Sequence, residues 1–147
     1  MYFFSELFSN RIIWVSLLAW FVAQLLKVVL TVISMKKIDL TRFVGSGGMP
    51  SSHAALIVSL TTSIGYQEGF HSSIFALSLV VALVVMYDAA GVRRAAGRQA
   101  AVLNEIVAEL QSSHTIREEK LIELLGHTPV EVIAGALLGI LVSSLMQ

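Results

Sequence analysis

The sequence predicts an all-α integral membrane protein, with about four membrane helices and a surface helical hairpin between the third and the fourth. Charged residues make up 14% of the 147 residues and hydrophobic residues 56%, whereas a soluble domain has about 25% charged residues. Four apolar stretches account for most of the chain, which we interpret as a single membrane domain covering 1–147. The predicted membrane helices lie near residues 12–33, 52–66, 73–90 and 129–146.

The first membrane helix is the clearest of the four. Residues 12–33 contain few polar residues, and a spanning helix needs about 20 apolar residues. Lys27 lies inside this helix, where a charge is costly unless it snorkels to the interface or meets a partner. Its position within two turns of the helix end favours snorkelling. The other three stretches are shorter, so tilt, a thinned bilayer or partial insertion are alternatives for them, and the second is alternatively re-entrant.

Residues 93–126 are predicted to form an amphipathic helical hairpin at the membrane surface. Leu103, Ile106 and Leu110 recur at helical spacing, with polar residues on the opposite face. The segment TIRE at 115–118 has the pattern of a capping box that opens the second arm.

Basic residues divide by loop and predict the orientation of the chain. One group follows the first helix and a second group follows the third, whereas the loop at 67–73 contains neither Lys nor Arg. The positive-inside rule therefore places both basic loops, and the two histidine motifs near them, on the cytoplasmic face. A net charge of +0 gives no support to nucleic acid as a partner, and the lack of cysteine excludes disulfides and thiolate metal sites.

A glycine-rich run, GSGGMPSSH at residues 45–53, precedes the second membrane helix. Its glycines permit close approach of the backbone to an anion, and the N–H groups at a helix start favour negative charge. Pro50 suits the first helical turn, and Ser51 or Ser52 either caps the helix or binds a phosphate oxygen. The alternative is a flexible loop and a capped helix, with His53 merely at the interface.

A second histidine, His127, precedes the fourth membrane helix. Thr128, Pro129 and Glu131 have the pattern of a capping box, with Thr128 as the N-cap and Glu131 at N3. In that interpretation His127 is only the residue before the cap. In the functional interpretation the Glu131 carboxylate accepts a hydrogen bond from the imidazole and fixes its tautomer. The two interpretations are not exclusive.

Several other residues have simpler interpretations. Arg93 and Arg94 follow the third helix, where their guanidinium groups suit phosphate oxygens, although positive-inside anchoring also accounts for them. Gly135 and Gly139 form a GxxxG pattern, which is expected at a helix-packing face. Two histidines are expected to be loop residues: His71 and His114.

Three runs of sequence together resemble the type-2 phosphatidic acid phosphatase and vanadium haloperoxidase superfamily, and more closely its small divergent branch. They are GGMPSSH at 47–53, YDAxGVRR at 87–94 and LGHTPxEV at 125–132. The resemblance spans nearly the whole chain. Its motifs are specific in combination, although each one alone is not.

The resemblance implies a membrane phosphatase that needs no metal and no cofactor. It assigns His127 as the nucleophile that attacks phosphorus, Glu131 as its orienting carboxylate and His53 as the acid that protonates the leaving alcohol. The phosphate-binding residues that it implies are Gly48, Ser51, Ser52, Arg93, Arg94, Lys37 and Arg42.

The chain departs from the superfamily pattern in its first motif. The superfamily places a lysine seven residues before an Arg-Pro pair, whereas Lys37 precedes Arg42 at a shorter spacing and Phe43 stands in place of the proline. The four predicted helices are also fewer than the usual six-helix core.

The first functional hypothesis is an integral membrane phosphatase that acts on a lipid phosphate or another small phosphoester. The second is a non-catalytic membrane protein that binds phosphorylated headgroups or supports a partner. Convergence of both histidines on one phosphate-sized space would favour the first. A third, a small transporter component, would show a polar path through the bundle. Membrane lipids are expected partners, and homo-oligomers are expected because GxxxG and small residues offer faces to bury.

Overall fold

A computed structural model describes residues 2–35, 48–111 and 127–146. The all-α prediction is confirmed, since these residues form six helices. The helices are α1 (Tyr2–Ser9), α2 (Arg11–Met35), α3 (Ser52–Glu68), α4 (Ser73–Ala90), α5 (Val92–Gln111) and α6 (Pro129–Leu145). The second arm of the predicted hairpin lies outside the described residues.

Helices α2, α3, α4 and α6 alternate in direction. The guanidinium of Arg11, at the start of α2, donates to the backbone carbonyl of Met146, just beyond α6. At the other end of the bundle, the His127 N–H donates to the Ala89 carbonyl at 3.2 Å. The start of α3, the end of α4 and the start of α6 therefore meet. We call this the histidine end, defined by residues 48–53, 89–90 and 127–131.

Helix α3 is central, because it packs against α2, α4 and α6. Its buried hydroxyls bond to these neighbours. The Ser59 hydroxyl donates to the Val15 carbonyl at 3.5 Å, and the Ser63 and Ser143 hydroxyls lie 2.7 Å apart. This explains why the second apolar stretch is the most polar of the four, since small hydroxyl residues allow close helix packing where lipid does not reach.

The α3–α6 contact is built on glycine, as the GxxxG pattern predicts. A Cβ at Gly139 would lie 2.6 Å from the Ala55 carbonyl oxygen, and one at Gly135 would collide with the carbonyl of Ser51. The backbones of the two helices therefore touch, which a side chain at either position would prevent.

Two helices in the described part of the chain are long and apolar enough to cross a bilayer. They are Arg11–Ile33 and Ser73–Ala90, both with a mean hydropathy of 2.1. Helix α6 is apolar but has 17 residues, and α3, also of 17 residues, carries the buried hydroxyls. Membrane crossing by α3 and α6 stays a prediction.

A candidate phosphate site at the histidine end

The two motif histidines lie together at the histidine end. The ring centroids of His53 and His127 are 6.1 Å apart, and the ring planes meet at 81°. His127 is 1% exposed, and His53 is half-buried. The two imidazoles are therefore close neighbours at this end of the bundle.

The start of α3 is capped by Ser51, which settles the choice between the two serines. The Ser51 hydroxyl accepts from the Ala54 N–H at 3.4 Å, as an N-cap side chain does. Ser52 is the first residue of α3, and both serines are buried. The expectation that Pro50 occupies the first helical turn is wrong, because the helix starts two residues later. Pro50 precedes the cap and follows a cis peptide bond.

The turn before this cap contacts helix α2 through Gly48. Gly48 has a φ of +88°, which side-chain-bearing residues rarely adopt. A Cβ at Gly48 would lie 3.3 Å from Cγ and 3.5 Å from Cδ of Lys27. The aliphatic part of Lys27 therefore packs directly against the turn that leads to Ser51.

The expectation that Lys27 snorkels to the membrane surface is wrong. Lys27 is 1% exposed, and its ammonium donates to the Gln24 side-chain carbonyl at 2.8 Å. Helix α2 continues to Met35, so about 12 Å of helix lies beyond Lys27. The side chain instead has a hydrogen-bond partner within the protein, which was the alternative to snorkelling.

Sequence reasoning missed the contact of Lys27 with the Gly48 turn and its hydrogen bond to Gln24. A sequence signal was present, since Gln24 and Lys27 are three residues apart and such pairs meet on a helix face. The contact of Lys27 with Gly48 depends on packing between segments far apart in the chain, and no local pattern predicts it.

The start of α6 carries the predicted capping box. The Thr128 hydroxyl accepts from the Glu131 N–H at 3.3 Å, and the Glu131 carboxylate accepts from the Thr128 N–H at 3.0 Å. The capping interpretation is therefore confirmed. An orienting role of Glu131 toward His127 stays a prediction.

Backbone hydrogen bonds fix the histidine end as one unit. The Ser51 N–H donates to the Glu131 carbonyl at 2.9 Å, which ties the cap of α3 to the first turn of α6. The His127 N–H reaches Ala89 at the end of α4, as described above. Gly135 lies against the Ser51 carbonyl, so the same small residue that permits helix packing also positions the cap.

Only some of the remaining predicted site residues lie in the described part of the chain. Arg93 and Arg94 lie in the first turn of α5, which begins directly after Gly91, the C-cap of α4. Their side chains, and all of Lys37 and Arg42, lie outside the described residues. His71 lies in the turn between α3 and α4, at the opposite end of the bundle, and His114 is outside the described residues.

The fold and the site define an all-helical membrane protein in which two histidines and two capped helix starts meet at one end. The sequence matches the model of the divergent PAP2 family over residues 8–142. It is also 40% identical over 149 residues to YuiD of Bacillus subtilis (strain 168), described as an uncharacterized membrane protein, with 94% of each chain covered. No solved structure gives a significant match. The chain belongs to the divergent PAP2 family and is an integral membrane protein.

Proposed function

We propose that this protein is a membrane phosphatase that hydrolyses a phosphate monoester through a histidine nucleophile. The observation that carries the proposal is the pairing of His53 and His127, whose ring centroids are 6.1 Å apart. Membership in the divergent PAP2 family supports a phosphatase-related function. A non-catalytic role in headgroup binding is the alternative that the experiment below distinguishes.

The proposed reaction has two steps. In the first, an imidazole nitrogen of His127 forms a bond to phosphorus while the bond from phosphorus to the ester oxygen breaks. Protonated His53 gives its proton to that oxygen, which leaves as an alcohol. In the second, His53 takes a proton from water as the water oxygen attacks phosphorus, and the phosphorus–nitrogen bond breaks. Inorganic phosphate leaves, and both histidines return to their initial protonation states.

Electrostatic stabilisation of the phosphoryl oxygens is the main task of the surrounding groups. The starts of α3 and α6 both lie at the histidine end, where the helix dipoles favour negative charge. In the proposal Ser51, Ser52 and the Gly48 turn line the oxygens, and Arg93 or Arg94 adds a guanidinium from the first turn of α5. Lys37 and Arg42 remain candidates from the sequence pattern alone.

An apolar groove supports a lipid phosphate as the substrate. The groove has a volume of about 330 Å³ and runs between α2 and α6 up to the turn before Ser51. Leu26 and Leu30 of α2 line one side, and Leu137 and Leu141 of α6 line the other, with Met49 and Pro50 at its end. In the proposal a hydrocarbon chain occupies this groove and its phosphate headgroup lies beyond Met49 and Pro50, toward the start of α3.

Phosphate release from a panel of esters tests the proposal. The full chain in lipid nanodiscs should release phosphate from long-chain lipid phosphates, and short-chain soluble esters of the same headgroup should react more slowly. His127→Ala should lose at least a thousandfold in kcat, as removal of a nucleophile typically does.

His71→Ala is the matched control, because His71 is exposed in the turn at the opposite end of the bundle and should keep wild-type activity. Equal turnover in wild type and His127→Ala across the panel would contradict a phosphatase. Tight binding of phosphorylated lipids without turnover would instead identify the headgroup-binding alternative.

A further inference from the structure

We infer that a groove at the end of the bundle opposite the histidine end binds one anionic phospholipid. The groove has a volume of about 420 Å³ and lies along the first half of α2. Arg11 and Met146 lie at one end of it. The apolar wall is formed by Trp14, Leu17, Leu18 and Phe21. We call this the Arg11 groove. None of these residues belongs to the histidine end, so the inference does not depend on the proposed hydrolysis.

The depth of the Arg11 groove matches one leaflet of a bilayer. Arg11 is the first residue of the 23-residue apolar span Arg11–Ile33, which places it at the level of the lipid headgroups when this span crosses the membrane. Phe21 follows ten residues later in α2, which corresponds to about 15 Å of helix. Half of the hydrocarbon core is also about 15 Å thick. A lipid chain that starts beside Arg11 therefore covers the groove over its whole length.

The guanidinium of Arg11 gives the headgroup end of the groove a positive charge. It donates to the Met146 carbonyl, which is neutral and leaves that charge in place. A guanidinium has five N–H donors in a planar fork that suits phosphate oxygens, so it can bind Met146 and a phosphate at the same time. None of the described residues that line the groove is acidic. The charge of the groove therefore complements an anionic headgroup.

Trp14 is held in place as a wall of the groove at the same level. Its indole N–H donates to the Phe8 carbonyl at 2.8 Å, and the rings of Phe8 and Trp14 stack with their centroids 6.0 Å apart. Tryptophan is enriched at the boundary between membrane and water. Because these contacts form within the chain, the headgroup end is already ordered before a lipid binds, which lowers the cost of binding.

Positive-inside anchoring does not account for Arg11. It is the only Lys or Arg within residues 2–11, 67–73 and 143–146, the described segments at this end of the bundle. In the predicted orientation this end faces away from the cytoplasm, where the rule predicts few basic residues. A lipid phosphate explains a cation at this position. The rival is a structural role, in which Arg11 only fastens the start of α2 to the end of α6.

Native mass spectrometry of the full chain in detergent tests the inference. The probes are phosphatidylglycerol, which has a net negative charge, and phosphatidylcholine with the same acyl chains, which has none. The chain should retain one phosphatidylglycerol at a concentration about fivefold or more below the one needed for phosphatidylcholine. Phosphatidylglycerol is a phosphodiester, so the proposed hydrolysis of monoesters would not consume it. Failure of the proposed hydrolysis would leave this measurement unaffected.

Arg11→Gln separates lipid binding from the structural rival. Glutamine removes the charge and keeps an N–H donor for the Met146 carbonyl, so the link between α2 and α6 is preserved. The two lipids should then bind within about twofold of each other, and the melting temperature without added lipid should stay close to that of wild type. A preference for phosphatidylglycerol that persists in Arg11→Gln would overturn the inference.

Leu18→Trp tests the groove itself and remains informative if Arg11→Gln fails to fold. The larger side chain fills the groove and leaves Arg11 in place, so the retained lipid should be lost. Leu25→Trp is the matched control, because Leu25 lies seven residues further along α2, beyond the part that lines the groove. It should retain the lipid as wild type does. Equal retention in the two variants would overturn the inference, as would a wild-type dimer that carries no lipid.

Discussion

Glu131 combines a structural contact with a proposed catalytic one at the start of α6. Its carboxylate accepts from the Thr128 N–H at 3.0 Å and completes the capping box. Its backbone carbonyl accepts from the Ser51 N–H at 2.9 Å. Capping needs only a side-chain oxygen, whereas the positive charge that develops on the His127 ring as it attacks phosphorus is stabilised by a negative one. A substitution that keeps the oxygen and removes the charge therefore separates the two contributions.

Glu131→Gln is expected to keep the fold and lose activity. Glutamine also serves at N3 of a capping box, so the melting temperature should stay close to that of wild type. The kcat should fall at least tenfold, because the orienting charge is gone. Glu131→Ala, by comparison, should also destabilise the helix start by about 1 kcal/mol. A wild-type kcat in Glu131→Gln would show that Glu131 only caps the helix and does not orient His127.

Single residues were predictable where their role depends on neighbours in sequence. The capping box at Thr128 and Glu131 follows from spacing alone, and the structure confirms it. Lys27 shows the opposite case, because its burial depends on a turn at Gly48 that folds back against α2. No pattern within α2 records that contact, and the local rule of snorkelling near a helix end gave the wrong answer.

At the scale of elements, the α3–α6 interface connects membrane packing to the site. Gly135 and Gly139 are one turn apart in α6, and both lie against the backbone of α3. Gly139 contacts Ala55 and Ser59, within the helix, whereas Gly135 contacts Ser51, the cap at the histidine end. The same substitution at the two positions should therefore differ in its effect on activity.

Gly135→Ala and Gly139→Ala should both lower the thermal stability, since each added Cβ would meet backbone atoms that cannot move aside independently. Only Gly135→Ala should also lower kcat/KM of the remaining folded protein, because it displaces the Ser51 cap. The measurements are melting temperature and phosphate release per folded molecule. Equal activity in the two variants would show that the cap does not contribute to the site.

The helix content could be predicted from hydropathy, because long apolar stretches have few alternatives in a bilayer. Helix α1 was not predicted, since its eight residues are far fewer than the about 20 that a spanning helix needs. Its Phe8 stacks on Trp14 of α2 at 6.0 Å between ring centroids. The polar residues of α3 made it the weakest predicted span. They are explained by the packing of α3 against α2, α4 and α6, which the sequence does not show.

At the scale of the whole molecule, the helix directions separate two ends of the bundle. Helix α3 runs from the cap at Ser51 to Glu68, and its 17 residues place the turn at 69–72 about 25 Å from the histidine end. Arg93 and Arg94 follow the end of α4 in the chain, at this end of the bundle, whereas the α3–α4 turn contains neither Lys nor Arg. We propose that the histidine end faces the cytoplasm.

A matched pair of cysteine variants tests this orientation. The chain contains no cysteine, so a single introduced thiol is the only one to react. Gln67 and Gln99 are both exposed, the first at the end of α3 and the second on α5. A membrane-impermeant maleimide added to intact cells should label Gln67→Cys and leave Gln99→Cys unlabelled until the membrane is opened. The reverse pattern would place the site outside the cell.

Lipid or a second copy of the chain must cover the outer face of α4. Leu77, Val80 and Val84 of this helix are mostly exposed in the single chain, and α5 leaves Val102 and Ile106 exposed as well. The homo-oligomer stays a prediction, because lipid alone would cover this face equally well and Gly135 and Gly139 are already packed against α3 within the chain. A monodisperse monomer in mild detergent, measured by light scattering, would contradict it.

The most direct measurement of the central claim is the trapping of phosphohistidine on this chain. The full-length protein would be mixed with a lipid phosphate carrying radioactive phosphorus and quenched in alkali, where a phosphorus–nitrogen bond survives and a phosphoester to serine does not. We expect label on the peptide that contains His127, with none in His127→Ala and slower formation of the label in His53→Ala, because the first step needs the proton of His53. Phosphate release without any labelled histidine, or label at another residue, would contradict it.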